Sequence, residues 1–221
     1  MKLGPSRTYL VLSPHADDSE LGMGATIAKL CSRGNRVVVA LIANHDEYRV
    51  RQFREACRIL GSEPLVMSEH GYSFDDGYVG NDMVKLVTSI DSLKNEIKPG
   101  TIFLPYPSVH QDHCSVYEAG VRSARISLDD SQYFIPNVLA YREPVSQLDI
   151  YNTGLTFNVF QKLKAKFVDL KMQAIEAHKT EVLPYPHPSS AKHADEYSKT
   201  IGSLCGSRRA EEFAVIRMRK L

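Results

Sequence analysis

Residues 8–20 read Thr8-Tyr9-Leu10-Val11-Leu12-Ser13-Pro14-His15-Ala16-Asp17-Asp18-Ser19-Glu20, and the change of character at Pro14 decides the fold. The first six are mostly aliphatic, aromatic or β-branched, the composition of a buried strand. The chain then turns polar for one loop. Positions 24–33 (GATIAKLCSR) follow with Ile27, Leu30 and Cys31 at the i, i+3, i+4 spacing of a helix. Gly34 stops that helix, and residues 36–43 form a second apolar run.

The same alternation continues downstream. Residues 49–60 place Phe53, Ala56, Cys57 and Leu60 on one helical stripe with Gly61 as the cap, and 65–67 is a short third strand. Another helix is expected over 82–97, then a strand over 101–104 after Lys98-Pro99-Gly100. Strands over 138–141, 156–160 and 213–218 and a long helix over 162–178 complete a less regular C-terminal third, with a proline-rich loop at 183–188. Repeated β-α units predict an α/β fold: a Rossmann-like, mostly parallel sheet sandwiched by helices, with an elaborated C-terminal part. Residues 1–221 read as a single domain, since no repeat, linker or low-complexity segment divides them.

Composition narrows the function. Lys and Arg number 27 against 26 Asp and Glu, a formal charge of +1, so no global field favours nucleic acid or an anionic membrane. The longest apolar runs are too short for a membrane anchor. The apolar run after Lys2 and Arg7 ends in an acidic loop and reads as a strand, not a signal peptide. Cysteines at 31, 57, 114 and 205 show no CxxC spacing, which fits reduced thiols in a cytoplasmic protein. Homo-oligomerisation is left open.

Two polar clusters combine histidine with aspartate, and each follows a strand: His15 to Glu20, and His110-Gln111-Asp112-His113. In an open parallel sheet of strand order 3-2-1-4-5, strands one and four flank the point where the order reverses, and ligands bind beyond their carboxyl ends. The clusters are therefore expected to face each other across one crevice. Imidazole and carboxylate are zinc ligands, and a catalytic zinc keeps three protein ligands with a fourth position open. His15, Asp18 and His113 would supply that set, leaving Asp17 and His110 for proton transfer and charge stabilisation. The plainer alternative is that Asp17, Asp18 or Ser19 merely caps the next helix. Its coincidence at two adjacent strand ends is what weighs against it. This is equipment for metal-assisted hydrolysis of an amide or ester.

The sequence PHADD, a glycine-rich helix start (Gly22-Met23-Gly24) and HQDH together resemble the PIG-L/LmbE-like zinc N-deacetylases, whose usual motifs are PHPDD and HPDH. Arg49 twelve residues before Gly61, Ala177-His178-Lys179-Thr180-Glu181 and Ala210-Glu211-Glu212-Phe213 extend the likeness over roughly residues 8–213. The resemblance implies His15, Asp18 and His113 as zinc ligands, Asp17 as general base and His110 as oxyanion stabiliser. It implies Asp112 as the carboxylate orienting His110, and Arg49 as a substrate contact. The implied substrate is an N-acylated, most simply N-acetylated, amino sugar or small glycoconjugate. A zinc amidase for a non-sugar amide, and a metal- or sugar-binding protein without turnover, are the alternatives; the presence of Asp17 and His110 argues against the latter. Ala16 for proline, Ser108 for an acidic residue, Gln52 for glutamate and Thr180-Glu181 for Ser-Gln depart from the family pattern and bear on substrate identity.

Lesser features read as structure. Gly22-Met23-Gly24 lacks the third glycine of a nucleotide loop. Cys114 is adjacent to His113 and reads as a buried thiol. His45 on the rim has a pocket role or a solvated one, and His178 ends a helix near the pocket. His70, His187 and His193 read as surface residues, and Arg217 to Lys220 as a solvated basic tail.

Overall fold

A computed structural model of the chain describes residues 7–126, 132–145 and 153–219; Lys2 and Lys220 fall outside them. Strands β1 (Thr8–Ser13), β2 (Arg36–Leu41), β3 (Glu63–Val66), β4 (Thr101–Pro105), β5 (Asn137–Tyr141), β6 (Phe157–Lys162) and β7 (Ala210–Met218) join one sheet in the order β3-β2-β1-β4-β5-β7-β6. The first five run parallel, and β7 is antiparallel to both β5 and β6. The expected α/β architecture and the 3-2-1-4-5 order hold, so β1 and β4 are neighbours with Tyr9 opposite Thr101.

Helices are α1 (Asp18–Cys31), α2 (Glu47–Leu60), α3 (Met83–Ile97), α4 (Gln111–Ser123), α5 (Ala165–Ala177) and α6 (Ala191–Leu204). Alternate residues of β1 serve opposite faces of the sheet, as strand geometry requires. Tyr9 and Val11 join the core under α1, α2 and α5, with Ile27, Phe53 and Val168. Leu10 and Leu12 join the core under α3 and α4, with Leu86, Ile90 and Val116. Burial on both faces is why these strands read as continuous apolar runs.

The structure departs from the sequence expectation in particular places. The first helix starts at Asp18 rather than 24, because its opening turn buries Asp18, Ser19 and Glu20 where an apolar stripe was sought. It kinks at Met23 (φ −145°, ψ 21°). The helix expected over 162–178 begins at Ala165, since Lys162 still pairs with Ala210 in the sheet. Helices α4 and α6 were not expected. The first starts inside the HQDH motif, and the second buries only Ala191, Ala194, Ser198, Ile201 and Gly202, too small and polar a face to register. Residues 183–188 form a largely exposed loop between α5 and α6 with a cis Tyr185–Pro186 bond.

Candidate active site

The crevice is assembled from the loops after β1 and β4. Ser13 Oγ donates to the His15 carbonyl (2.7 Å) and accepts the Ser19 amide (3.2 Å), which folds the loop back on the strand end. The His15 amide donates to Asp18 Oδ2 at 2.8 Å, and His15 Nδ1 lies 3.2 Å from that same oxygen. From the other loop, His113 Nε2 also lies 3.2 Å from Asp18 Oδ2. Ligand atoms about 2.0–2.1 Å from a tetrahedral metal stand roughly 3.3 Å apart, and the His15–Asp18 and His113–Asp18 separations match that spacing, while His15, His110 and His113 also offer ligand atoms within 4.8 Å of one another. The N/O donor chemistry fits zinc.

The capping alternative does not describe this loop. Asp17 occupies the N-cap position of α1, yet its side chain makes no capping bond. Its carboxylate is left available.

Charge balance supports the fit to a cation. Burial opposes protonation of His15, but hydrogen bonds to Asp112 and Asp18 outweigh it and raise the imidazole to about 10. Burial is likewise overcome at His113 by the Asp18 and Glu143 carboxylates, which lift it to about 9. Asp18, despite burial, is held well below the ordinary carboxylate range by His113 and His15. The cluster thus draws positive charge into a buried place, where a divalent ion would supply it in place of two protons.

Outer contacts fix the rings. Asp112 is buried and its Oδ2 lies 3.0 Å from His15 Nε2, while its two oxygens accept the amides of Gly77 (2.7 Å) and Val79 (3.1 Å). The side-chain hydrogen bond of Asp112 is thus to His15, the carboxylate–histidine pairing that metal sites use, with His110 within 4.8 Å in the same cluster. His110 is held instead by the backbone. As N-cap of α4, its Nδ1 accepts the Asp112 amide at 3.2 Å. Burial and the nearby His15 and His113 cations lower its pKa. A neutral ring that accepts at Nδ1 carries its proton on Nε2 and is a hydrogen-bond donor there. His110 stacks edge-on to His15, with centroids 4.6 Å apart.

Glu143 was not singled out from the sequence. It is fully buried just beyond β5, with Oε2 3.7 Å from His113 Nδ1, which also meets Ser108 Oγ at 3.2 Å. Asp18, His113 and Glu143 offer ligand atoms within 4.8 Å of one another. Position was the available signal, because Tyr141-Arg142-Glu143 ends a strand on the same edge as the two motifs.

Asp76 was missed too. From the Asp75-Asp76-Gly77 turn after β3, it reaches His15 Nε2 (3.3 Å), His45 Nδ1 (3.6 Å) and Arg49 Nη1 (3.3 Å). Arg49 lies on this rim, with its Nε 3.2 Å from Glu181 as well. His45 is on the rim, its side chain 1% exposed and lowered to about 4 by burial and Arg49. Thr180 donates to Gln52 at 3.1 Å, joining two of the positions that depart from the family pattern. His178 is buried at the end of α5, 3.7 Å from Glu20 on α1. Burial and the Asp18 charge raise Asp17 to about 6. Cys114 is half-buried and donates to the Ser108 carbonyl (3.0 Å).

Comparisons with known proteins bear on the family and the fold. The family profile described as PIG-L, GlcNAc-PI de-N-acetylase, matches residues 10–124, just over half the chain. The uncharacterized deacetylase YaiS of Escherichia coli (strain K12) is 27% identical over 187 residues, covering 77% of this chain and 90% of that protein. Among solved structures, the N,N'-diacetylchitobiose deacetylase of Pyrococcus horikoshii superposes with a TM-score of 0.76 at 19% identity, over 96% of this chain and 84% of that one. The 4-carboxy-2-hydroxymuconate hydratase GalB of Pseudomonas putida KT2440 also superposes with a TM-score of 0.76, at 15% identity and over 97% and 98% of the two chains. Those two likenesses are of fold, and the fold hosts more than one reaction.

Proposed function

The chain belongs to the PIG-L family of de-N-acetylases, and from that premise we propose that it is a cytoplasmic, zinc-dependent hydrolase removing an N-acetyl group from an amino sugar or small glycoconjugate. The observation that carries the reading is the convergence of His15 Nδ1 and His113 Nε2 on one oxygen of Asp18, each at 3.2 Å. His15, Asp18 and His113 would hold the ion, which when bound supplies Lewis acidity and lowers the pKa of water to about 7.

The chain's own groups supply the rest. Asp17, with no capping bond and a pKa near 6, takes a proton from the attacking water as its oxygen bonds the carbonyl carbon. His110 donates from Nε2–H to the oxygen on which negative charge develops. The C–N bond then breaks as the proton held by Asp17 passes to the departing nitrogen, giving a carboxylic acid and an amine. Asp112 and Glu143 act through His15 and His113 and keep those rings oriented.

Rim charge bears on the substrate. Arg49 is flanked by Asp76 and Glu181, so this stretch carries two carboxylates against one guanidinium. It favours hydroxyl groups, which both donate and accept, over a phosphate. Residues 1–221 are read as one domain, and no helix among the described residues is long and apolar enough to cross a membrane. An amine-release assay of zinc-loaded protein on N-acetylglucosamine, its oligomers, sugar phosphates and N-acetylated amino acids tests this. Turnover confined to neutral sugars supports it. Turnover of N-acetylated amino acids alone would move the assignment to a non-sugar amidase.

A further inference from the structure

Far from the histidines, a cavity of about 440 Å³ is lined by the opening residues of β1, β4 and β5, the second half of α1, and β6. It therefore lies at the opposite end of the strands from the catalytic loops. Its walls are largely apolar, with Tyr9, Phe103, Leu139, Phe213, Val159 and Met218, beside the polar Thr26, Thr101, Asn137 and Gln161. Its charged lining residues are Arg7, Lys29, Arg33 and Lys162, and no carboxylate lines it. Lys29 Nζ is pinned by the Lys162 carbonyl at 2.7 Å, not by an acid. The nearby Glu211 is already taken by Lys171 (2.8 Å) and by the amides of Ala25 and Thr26. Among the described residues, none of the four cations is in an ion pair with an acidic side chain.

An apolar pocket of this volume is in the range of small-molecule sites, and four cations outside any ion pair give it a sign, with the Glu211 charge that acts on Lys29 already paired with Lys171. We propose that it binds an amphiphilic monocarboxylate, a fatty-acid-like molecule whose tail lies against Phe103 and Leu139 and whose head group meets Lys29 and Arg33. Other occupants fit the charge poorly. A second copy applied about a twofold axis would oppose the same four cations.

The test titrates monomeric decanoate into the protein by calorimetry. One molecule per chain is expected. Reversing the head-group cations (Lys29→Glu with Arg33→Glu) should weaken binding at least about tenfold, or 1.4 kcal/mol, and filling the cavity with Val159→Trp should abolish it. Circular dichroism checks that each variant is folded, and Arg33 is exposed enough to be changed alone if the pair is not. Decyltrimethylammonium should not bind, and His113→Ala or chelated protein should bind decanoate as the wild type does. No saturable binding, or equal binding of the cationic amphiphile, overturns the proposal. So does loss of binding in His113→Ala, which would place the carboxylate at the catalytic centre, or binding to anionic vesicles but not to decanoate.

Discussion

Asp17 and Asp18 have identical side chains and consecutive positions, yet their surroundings separate them. Asp18 Oδ2 faces two imidazole nitrogens and the His15 amide, whereas Asp17 is left with burial and its neighbour's charge. Asp18→Asn should lower bound metal, measured by elemental analysis, because it exchanges an anionic donor for a neutral one. Asp17→Asn should keep the metal and lose about 10²–10⁴-fold in kcat, the usual worth of a positioned base. A base works only when deprotonated, so wild-type kcat/KM should fall as pH drops through about 6, and Asp17→Asn should remove that limb. An emptied site in Asp17→Asn would exchange the two roles. At Arg49 the guanidinium spans Asp76 and Glu181. Lysine cannot reproduce that planar fork, so Arg49→Lys should lower kcat/KM with metal content intact; unchanged kinetics would take Arg49 out of the substrate site. His15, Asp18, His110 and His113 were legible because their types are rare together and each cluster follows a strand. Asp76 and Glu143 were not, because a lone carboxylate in a turn looks like any solvated one until the sheet order brings it to the same rim.

At the level of elements, α1 shows why a boundary can be illegible while the element is plain. Its first turn is polar on the buried side, because that side belongs to the site and to Glu20 and His178 rather than to the core. Gly22 lets the turn approach β5: a Cβ there would stand 2.4 Å from Tyr141 Cδ2. Tyr141 is fully buried with its hydroxyl tied to the Leu12 carbonyl at 2.8 Å, so the ring cannot withdraw. Gly22→Ala should destabilise by about 1–3 kcal/mol, as overpacking does, seen as a fall of several degrees in Tm. Gly24→Ala, whose Cβ meets only the Lys171 side chain, at 3.2 Å from Cγ, should be milder; equal effects would mean the Tyr141 contact is not limiting. The second half of α1 is stitched to α5 and β7 by Glu211, which accepts the amides of Ala25 (3.1 Å) and Thr26 (2.7 Å) and Lys171 Nζ (2.8 Å). Lys171→Met leaves that carboxylate buried without its countercharge and should cost about 3–5 kcal/mol in denaturant melts. A change under 1 kcal/mol, the scale of an exposed pair, would show that water reaches it. The Ala210-Glu211-Glu212-Phe213 segment, matched from the sequence only by resemblance, thus has a structural cause.

For the whole molecule, metal, protons and stability are one linked system. Without an ion, His15 and His113 are raised to about 10 and 9 by the carboxylates around them, against about 6.5 in an unfolded chain. Raised values mean that the folded state binds these protons more tightly. Their stabilisation is complete below about pH 6.5 and is lost as pH rises through 9 to 10. A divalent ion takes the same positions and must displace the protons. Three outcomes follow for protein stripped with a chelator. It should remain folded, since two apolar layers flank the sheet independently of the site. Its Tm should decline on passing from pH 6.5 towards 10 more steeply than that of zinc-loaded protein. Zinc uptake at pH 7 should release close to two protons per ion, read from calorimetry in buffers of different ionisation enthalpy. Release near zero, with matching pH dependence in both forms, would mean that the two imidazoles are already neutral in the empty site. The carboxylates would then hold them by hydrogen bonding alone, and the attraction of the cluster for a cation would rest on Asp18 by itself.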